Sequence, residues 1–177
     1  DRNIRFTDRT VNEIVRATSE LAKAKTGALI IMEKDIILSE YERTGIIIDS
    51  AISSQLLINI FEHNTPLHDG AVIVRGNRVV AATCYLPLSD NMELSKQLGT
   101  RHRAGVGISE QTDSVTIIVS EETGQVSVAQ GGKLTRSVNS AKLREILVRA
   151  QNKQVVDNSK LRHLLKGRVK HEEAKNN

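Results

Sequence analysis

The segment from Asn64 to Arg75, NTPLHDGAVIVR, sets an acid and an imidazole in a Pro/Gly turn that runs straight into an apolar strand. Asp69 beside Gly70 is also a common plain turn, since Asp bonds its own backbone and Gly takes positive φ at little cost. His68 and the stiffening Pro66 favour a site, because a carboxylate oxygen and an imidazole nitrogen together suit a divalent metal such as Mn2+. Gly70 and Ala71 carry little bulk, so a ribose or phosphate can approach the backbone closely. Further along, Gly99 and Thr100 lead into Arg101, His102 and Arg103, consecutive side chains able to hold an anion. At a helix start, free N–H groups would add donors and make a triphosphate or departing pyrophosphate the natural guest. The plainer alternative is a pair of surface arginines with a solvated His between them. Arginine early in a helix opposes the dipole, however, so a compensating anion is expected. Ser120, Glu121 and Glu122 end another apolar strand. Adjacent carboxylates repel unless something positive lies near, so one is expected to face Arg101 or a metal and the other solvent. Tyr85 fits either core packing or stacking on a base. Acid, cationic cluster and second acid together suggest a metal-nucleotide site.

The elements that would position these groups can be read from periodicity. Thr7 can cap a helix running to about Lys25, with Val11, Ile14, Val15, Thr18, Leu21 and Ala22 at helical spacing and Gly27 as the stop. Gly27 to Met32 reads as a buried strand, Glu33 to Thr44 as a polar connection, and Gly45 to Asp49 as a second short strand. Ser53 or Ser54 caps a helix over Gln55 to Phe61. Val72 to Arg75 and Arg78 to Tyr85 flank Gly76-Asn77, a two-residue hairpin signal whose residues tolerate positive φ. Ser89 to Leu98 is predicted as loop with a helical turn, and Arg103 to Glu110 as a short helix opening right after the cationic cluster. Ser114 to Val119 and Gln125 to Gln130 make a second hairpin about Glu121 to Gly124. A short extension over Lys133 to Arg136 follows, and Asn139 or Ser140 caps a last helix to about Ala150. This order predicts an α/β fold, a single globular domain whose central mixed, partly antiparallel sheet is flanked by helices. Neither a dinucleotide glycine fingerprint nor a Walker loop is present.

With 177 residues the chain suits one domain able to bury roughly 70% of its unfolded surface. Its net charge of +4 is misleading: residues 151–177 hold seven Lys/Arg against three Asp/Glu, which leaves 18 against 18 in residues 1–150. The folded body therefore has no basic footprint for nucleic acid, and four aromatics (2 Phe, 2 Tyr) make few stacking platforms. Cys84 stands alone in an apolar run, so it reads as a small buried hydrophobe in a reducing compartment. No apolar run approaches the roughly 18 residues of a membrane span.

Taken as a set, Asp69-Gly70-Ala71, Arg101-His102-Arg103 and Ser120-Glu121-Glu122 resemble the diadenylate cyclase (DAC) domain family. The likeness extends through Gly27 to Ile30, Ser53 to Ile60, Asn64 to His68 and Leu86 to Ser89, over about residues 5–150. It implies a catalytic domain over residues 1–150 and a basic C-terminal tail over residues 151–177. The implied activity condenses two ATP into cyclic di-AMP and two pyrophosphates, with Mn2+, Mg2+ or Co2+ required. By motif, Asp69 would activate a ribose 3′-hydroxyl and organise the metal, with His68 and Glu122 as further ligands. Arg101, His102 and Arg103 would hold phosphates, while Gly70, Ala71 and Thr100 would line ribose and triphosphate. Tyr85 would stack on adenine and the backbone of Leu86 would read its edge. Ser120 would touch phosphate, and the division of labour between Glu121 and Glu122 stays open.

One ATP site cannot close a ring from two nucleotides, so catalysis is expected to need a face-to-face homodimer about a two-fold axis. The resemblance is to bacterial members anchored in the membrane. It implies that this chain, which starts at Asp1, is the part at the cytoplasmic face of the cell membrane. Phosphoglucosamine mutase and a membrane regulatory protein are the partners it suggests, with no nucleic acid. Two rival classes remain at this level. A sensor would keep the pocket without chemistry and tolerate Asp69→Asn, and a nucleic-acid module would bind through the tail in a salt-dependent way.

Overall fold

The computed structural model describes residues 3–154, so most of the basic tail expected over residues 151–177 lies outside the described residues. Helix α1 (Asp8–Lys23) buries Val11, Ile14, Val15 and Leu21 along one stripe, as the spacing predicts. Thr7 stands at the N-cap position, but its side chain makes no capping bond. Its hydroxyl is turned instead to Asn77 Oδ1, 3.2 Å away, which also accepts from the Thr7 N–H and the Thr10 hydroxyl. The helix ends before Gly27. Lys25 takes the left-handed conformation at φ 51°, and Thr26 N–H reaches back to the Leu21 carbonyl at 2.9 Å, closing a Schellman turn without glycine.

Strands β1 (Ala28–Met32), β2 (Ile46–Ala51), β3 (Ala71–Arg75), β4 (Arg78–Cys84), β5 (Val115–Val119), β6 (Val126–Gln130) and β7 (Lys133–Thr135) form one sheet in the order β2-β4-β3-β1-β5-β6-β7. Only β1 and β3 pair in parallel; every other pairing is antiparallel. The central strands β3, β1 and β5 are apolar except for Arg75 and Thr116, because both faces are covered. Alternate residues sort to the two faces: Ile30, Val72 and Ile117 pack with α1, α3 (Ser54–Phe61) and α5 (Ser140–Gln151), whereas Leu29, Ile73 and Ile118 pack with α4 (Thr100–Gln111). The result is the mixed α/β architecture expected, capped at α3 by Ser53 Oγ and at α5 by Asn139 Oδ1.

Three local expectations are corrected. The connection after β1 contains a short helix, α2 (Ser39–Glu42), held by Arg75, whose guanidinium bonds both Glu33 oxygens at 2.8 and 2.9 Å and Glu42 at 2.7 Å. Strand β2 starts one residue late and continues to Ala51 past an irregularity between Ile47 and Ser50, where Asp49 has φ 46°. Residues 89–98 hold hydrogen-bonded turns (Leu94 N to Asn91 O, Leu98 N to Ser95 O) rather than a helical turn. No helix among the described residues is long and apolar enough to cross a membrane.

Candidate active site

A cavity of about 590 Å³ opens at one end of the sheet. Into it come the turn before β3, the segment after β4, the first turn of α4 and the turn after β5. Of the residues singled out from sequence, His68, Asp69, Gly70, Tyr85, Leu86, Thr100, Arg101, His102, Ser120, Glu121 and Glu122 all line it. Ala71 and Arg103 do not. Ala71 is fully buried in β3, so its small side chain serves the core between the sheet and α4.

The Asp69 turn is built for close approach. Gly70 has φ +80°, and a Cβ there would press on the backbone of Thr83 and Cys84 at 2.9 to 3.0 Å. The Asp69 carboxylate is exposed and spends one contact on its neighbour, accepting from Gly70 N–H at 3.0 Å. His68 Nδ1 lies 2.6 Å from the Thr65 carbonyl oxygen. A carbonyl only accepts, so Nδ1 carries the proton and donates, which leaves the Nε2 lone pair free. That arrangement, one ring N–H on a carbonyl and the other nitrogen open, is the usual setting of a metal-binding histidine.

Helix α4 starts at Thr100 rather than after the cationic cluster, and this changes what the cluster can do. Its N-cap is Gly99, with no side-chain cap and no acidic residue in the first turn. Its first backbone bond runs from Arg103 N–H to Gly99 O at 3.2 Å, so the N–H groups of Thr100, Arg101 and His102 have no helical partner. Successive helical residues fan out by about 100°, so three consecutive side chains do not all face one space. Arg101 and His102 face the cavity; Arg103 instead accepts the Ser89 N–H on its carbonyl at 2.9 Å, tying the helix to the segment after β4.

Arg101 lies against Gly27, where any Cβ would overlap the guanidinium carbon and both terminal nitrogens. Glu121 Oε2 stands 4.0 Å from its Nη1. His102 is only 8% exposed. Burial holds its pKa below the usual imidazole value, and the positive charges of Arg101 and Arg136 add to this, while Glu122 acts in the opposite sense. The ring is therefore mainly neutral at neutral pH. The Ser120 hydroxyl accepts from the Glu122 and Thr123 N–H groups at 3.3 Å each, which shapes the turn and leaves its own proton to donate. Both glutamates are exposed and both line the cavity. Glu121 is the partner of Arg101, and the charge of Glu122 acts on His102.

Tyr85 is 72% exposed, which removes core packing as its role. Its backbone N–H is held by Thr44 Oγ1 at 2.8 Å, and the same hydroxyl donates to the Tyr41 carbonyl at 2.6 Å. Cys84 is buried as expected, and loss of water pushes its thiol up to about 11, so it is inert. Sequence reasoning missed Gly27, Thr44 and Arg136. Only their three-dimensional neighbours, far away in sequence, mark them. Among the described residues no three His, Cys, Asp or Glu side chains gather closely enough to enclose a metal. His68 and Asp69 offer adjacent donors on one wall, and Glu122 stands on the turn after β5.

A model of the family described as DAC, DisA bacterial checkpoint controller nucleotide-binding, matches residues 15–134. The cyclic di-AMP synthase CdaA of Bacillus subtilis is 51% identical over 160 residues, 90% of this chain and 59% of that protein. A diadenylate cyclase of Listeria monocytogenes is 55% identical over 139 residues, 78% of this chain and 51% of that one. The chain thus spans between 51% and 59% of the length of these relatives. For the diadenylate cyclase of Mycoplasma genitalium, at 38% identity, the share is 70%. The crystal structure of a double mutant of DacA from Staphylococcus aureus superposes with a TM-score of 0.80 at 49% identity, over 81% of this chain and 95% of that one. A hypothetical membrane spanning protein from Bacillus cereus gives 0.71 at 40% identity, over 75% and 64%. Motifs, fold and cavity agree with these matches: the chain belongs to the DAC family.

Proposed function

We propose that this chain carries the catalytic domain of a diadenylate cyclase, residues 1–150, followed by the tail over residues 151–177. It joins two ATP molecules into cyclic di-AMP and releases two pyrophosphates. The observation that carries this reading is one cavity, about 590 Å³, shared by Asp69, the uncapped start of α4 and the Ser120 turn. That volume lies within the usual range for small-molecule sites. The names of the relatives at 51% and 55% identity support the same activity.

In this reading Tyr85 stacks on adenine and the backbone of Leu86 meets its edge. The N–H groups at the start of α4, with Thr100 and Arg101, receive the triphosphate. Neutral His102 donates a hydrogen bond to a phosphate oxygen without adding charge, and Ser120 donates another. The cavity is lined by three carboxylates (Asp69, Glu121, Glu122) against two guanidinium groups (Arg101, Arg136), so on its own it does not offset a triphosphate. His68 and Asp69 would hold a divalent ion as adjacent nitrogen and oxygen donors, and Glu122, which lines the same cavity but is not gathered with them into one cluster, is the further ligand the resemblance implies. A bound Mn2+, Mg2+ or Co2+ would supply Lewis-acid charge toward the attacking hydroxyl and the phosphates.

Asp69 orients the ribose 3′-hydroxyl and draws on its proton. The 3′-oxygen then bonds to the α-phosphorus of a second ATP. The bridge from that phosphorus to the β-phosphate breaks, and pyrophosphate leaves with the bridging oxygen and its electron pair. Each domain holds one nucleotide, so the second comes from a facing copy of the chain, and the step runs twice about the two-fold axis. The description of the Bacillus cereus match as membrane spanning supports a parent protein anchored in the membrane, and its cytoplasmic face is the side the resemblance implies. A membrane regulatory protein and phosphoglucosamine mutase remain partners implied by resemblance alone.

The test is incubation with ATP and Mn2+, followed by mass detection of the nucleotides. Cyclic di-AMP from the parent and none from Asp69→Asn is expected. A parent that binds ATP and never forms product, even when forced to dimerise, would make the chain a sensor. For the dimer, specific activity should fall on dilution; activity that stays proportional to enzyme far below the dimer dissociation constant would contradict it.

A further inference from the structure

We propose that Arg136, between β7 and α5, is the ligand of the β- and γ-phosphates of ATP, and hence of the departing pyrophosphate. This rests on the cyclase reading of the same cavity. The inference follows from counting charge where the cavity wall puts it. Arg103 is absent from the wall, and His102 is buried and mainly neutral. Of the cationic cluster only Arg101 remains as a charge, and Glu121 stands 4.0 Å from it. Arg101 and Arg136 are the only Lys or Arg among the described residues that line the cavity.

Arg136 is exposed and makes no ion pair within 4.0 Å among the described residues. It lines the same cavity as Thr100, Arg101 and His102 of the first turn of α4, and its charge disfavours protonation of the His102 ring. Two like-signed groups, a guanidinium and an uncapped helix start, thus face one space with no acid in that helical turn. Such an arrangement favours a polyanion. The planar fork of arginine suits two phosphate oxygens at once. When the bridge at the α-phosphorus breaks, charge grows on the β-phosphate oxygen. A group that binds this end of the substrate stabilises the leaving group more than the ground state.

The experiment compares the parent, Arg136→Ala and Arg136→Lys in equilibrium binding of ATP and of AMP, with pyrophosphate as an inhibitor of turnover. Losing a charge-assisted contact should weaken ATP about ten- to a hundredfold. AMP should change by less than about twofold, since it lacks the phosphates in question, and inhibition by pyrophosphate should weaken in parallel with ATP. Arg136→Lys should recover part of the loss, keeping the charge without the fork. An equal loss for ATP and AMP would overturn the proposal in favour of a merely structural role, and unchanged ATP affinity would overturn it outright. Failure of the cyclase reading is seen separately. A parent that prefers ATP to AMP through Arg136 but makes no cyclic di-AMP keeps the assignment and loses the activity.

Discussion

Gly27→Ala isolates the seat of Arg101 from the stability of the fold. The added Cβ would overlap the guanidinium head. Restoring an ordinary contact of roughly 3.5 Å requires the head to retreat by about 1 Å. The head is the far end of a flexible side chain, 24% exposed, so it can move without shifting the backbone. Stability should change by less than about 1 kcal/mol, a thermal midpoint shift of roughly 2–4 °C in a chain of this size. Catalysis is far more sensitive, since a 1 Å misplacement of a positioning group costs on the order of a hundredfold. That corresponds to about 2.7 kcal/mol of transition-state stabilisation. The assay is kcat/KM for cyclic di-AMP formation beside a thermal melt of the same preparation. Full activity would show that the contact with Gly27 does not set Arg101. A melt falling by as much free energy as the rate would make Gly27 a packing residue and refute the reasoning.

Other perturbations probe different parts of the site. The pKa of His102 is lowered in the fold, so the unfolded chain binds the proton first, and stability should fall as pH drops below about 6.5. Thermal midpoints between neutral and mildly acidic pH should decline more steeply for the parent than for His102→Gln, and equal slopes would deny that the ring is held neutral. Thr44→Val removes the acceptor for the Tyr85 N–H. This should raise KM for ATP roughly fivefold at the cost of one hydrogen bond, with kcat nearly constant and Thr44→Ser restoring the parent value; an unchanged KM would remove Thr44 from the nucleotide site. Gly107→Ala should destabilise by about 1–3 kcal/mol despite a better helix propensity, because the new Cβ would overlap the Pro87 carbonyl. A gain in thermal midpoint would mean that this segment yields.

How far the sequence can be read depends on the range of the interactions. Local signals succeeded where the physics is local. Ser53 and Asn139 cap α3 and α5, and Gly76-Asn77 turns the hairpin between β3 and β4. Even there only Gly76 uses positive φ, at 59°, while Asn77 spends its side chain on the start of α1. The motif acids and the Arg-His pair were legible because acid, imidazole and guanidinium groups stand at a turn, a strand end and a helix start, and they do meet at one cavity.

The reading failed where a residue's role is fixed from afar. Gly27 looked like a helix stop, yet Lys25 makes the turn and Gly27 clears space for a side chain of α4. Arg103 was expected to hold phosphate as one of three consecutive side chains able to hold an anion; it does not line the cavity, because α4 starts at Thr100 and separates the side chains around its axis. Arg136 lies in no motif. Its position follows from the antiparallel return through β6 and β7, which no local window contains.

The most direct test of the central claim is the stoichiometry of a single reaction followed to completion with ATP and Mn2+. The account predicts one cyclic di-AMP and two pyrophosphates for every two ATP consumed, with no ADP or orthophosphate formed in step. Hydrolysis of ATP to ADP, or a linear dinucleotide that accumulates and never closes, would contradict it.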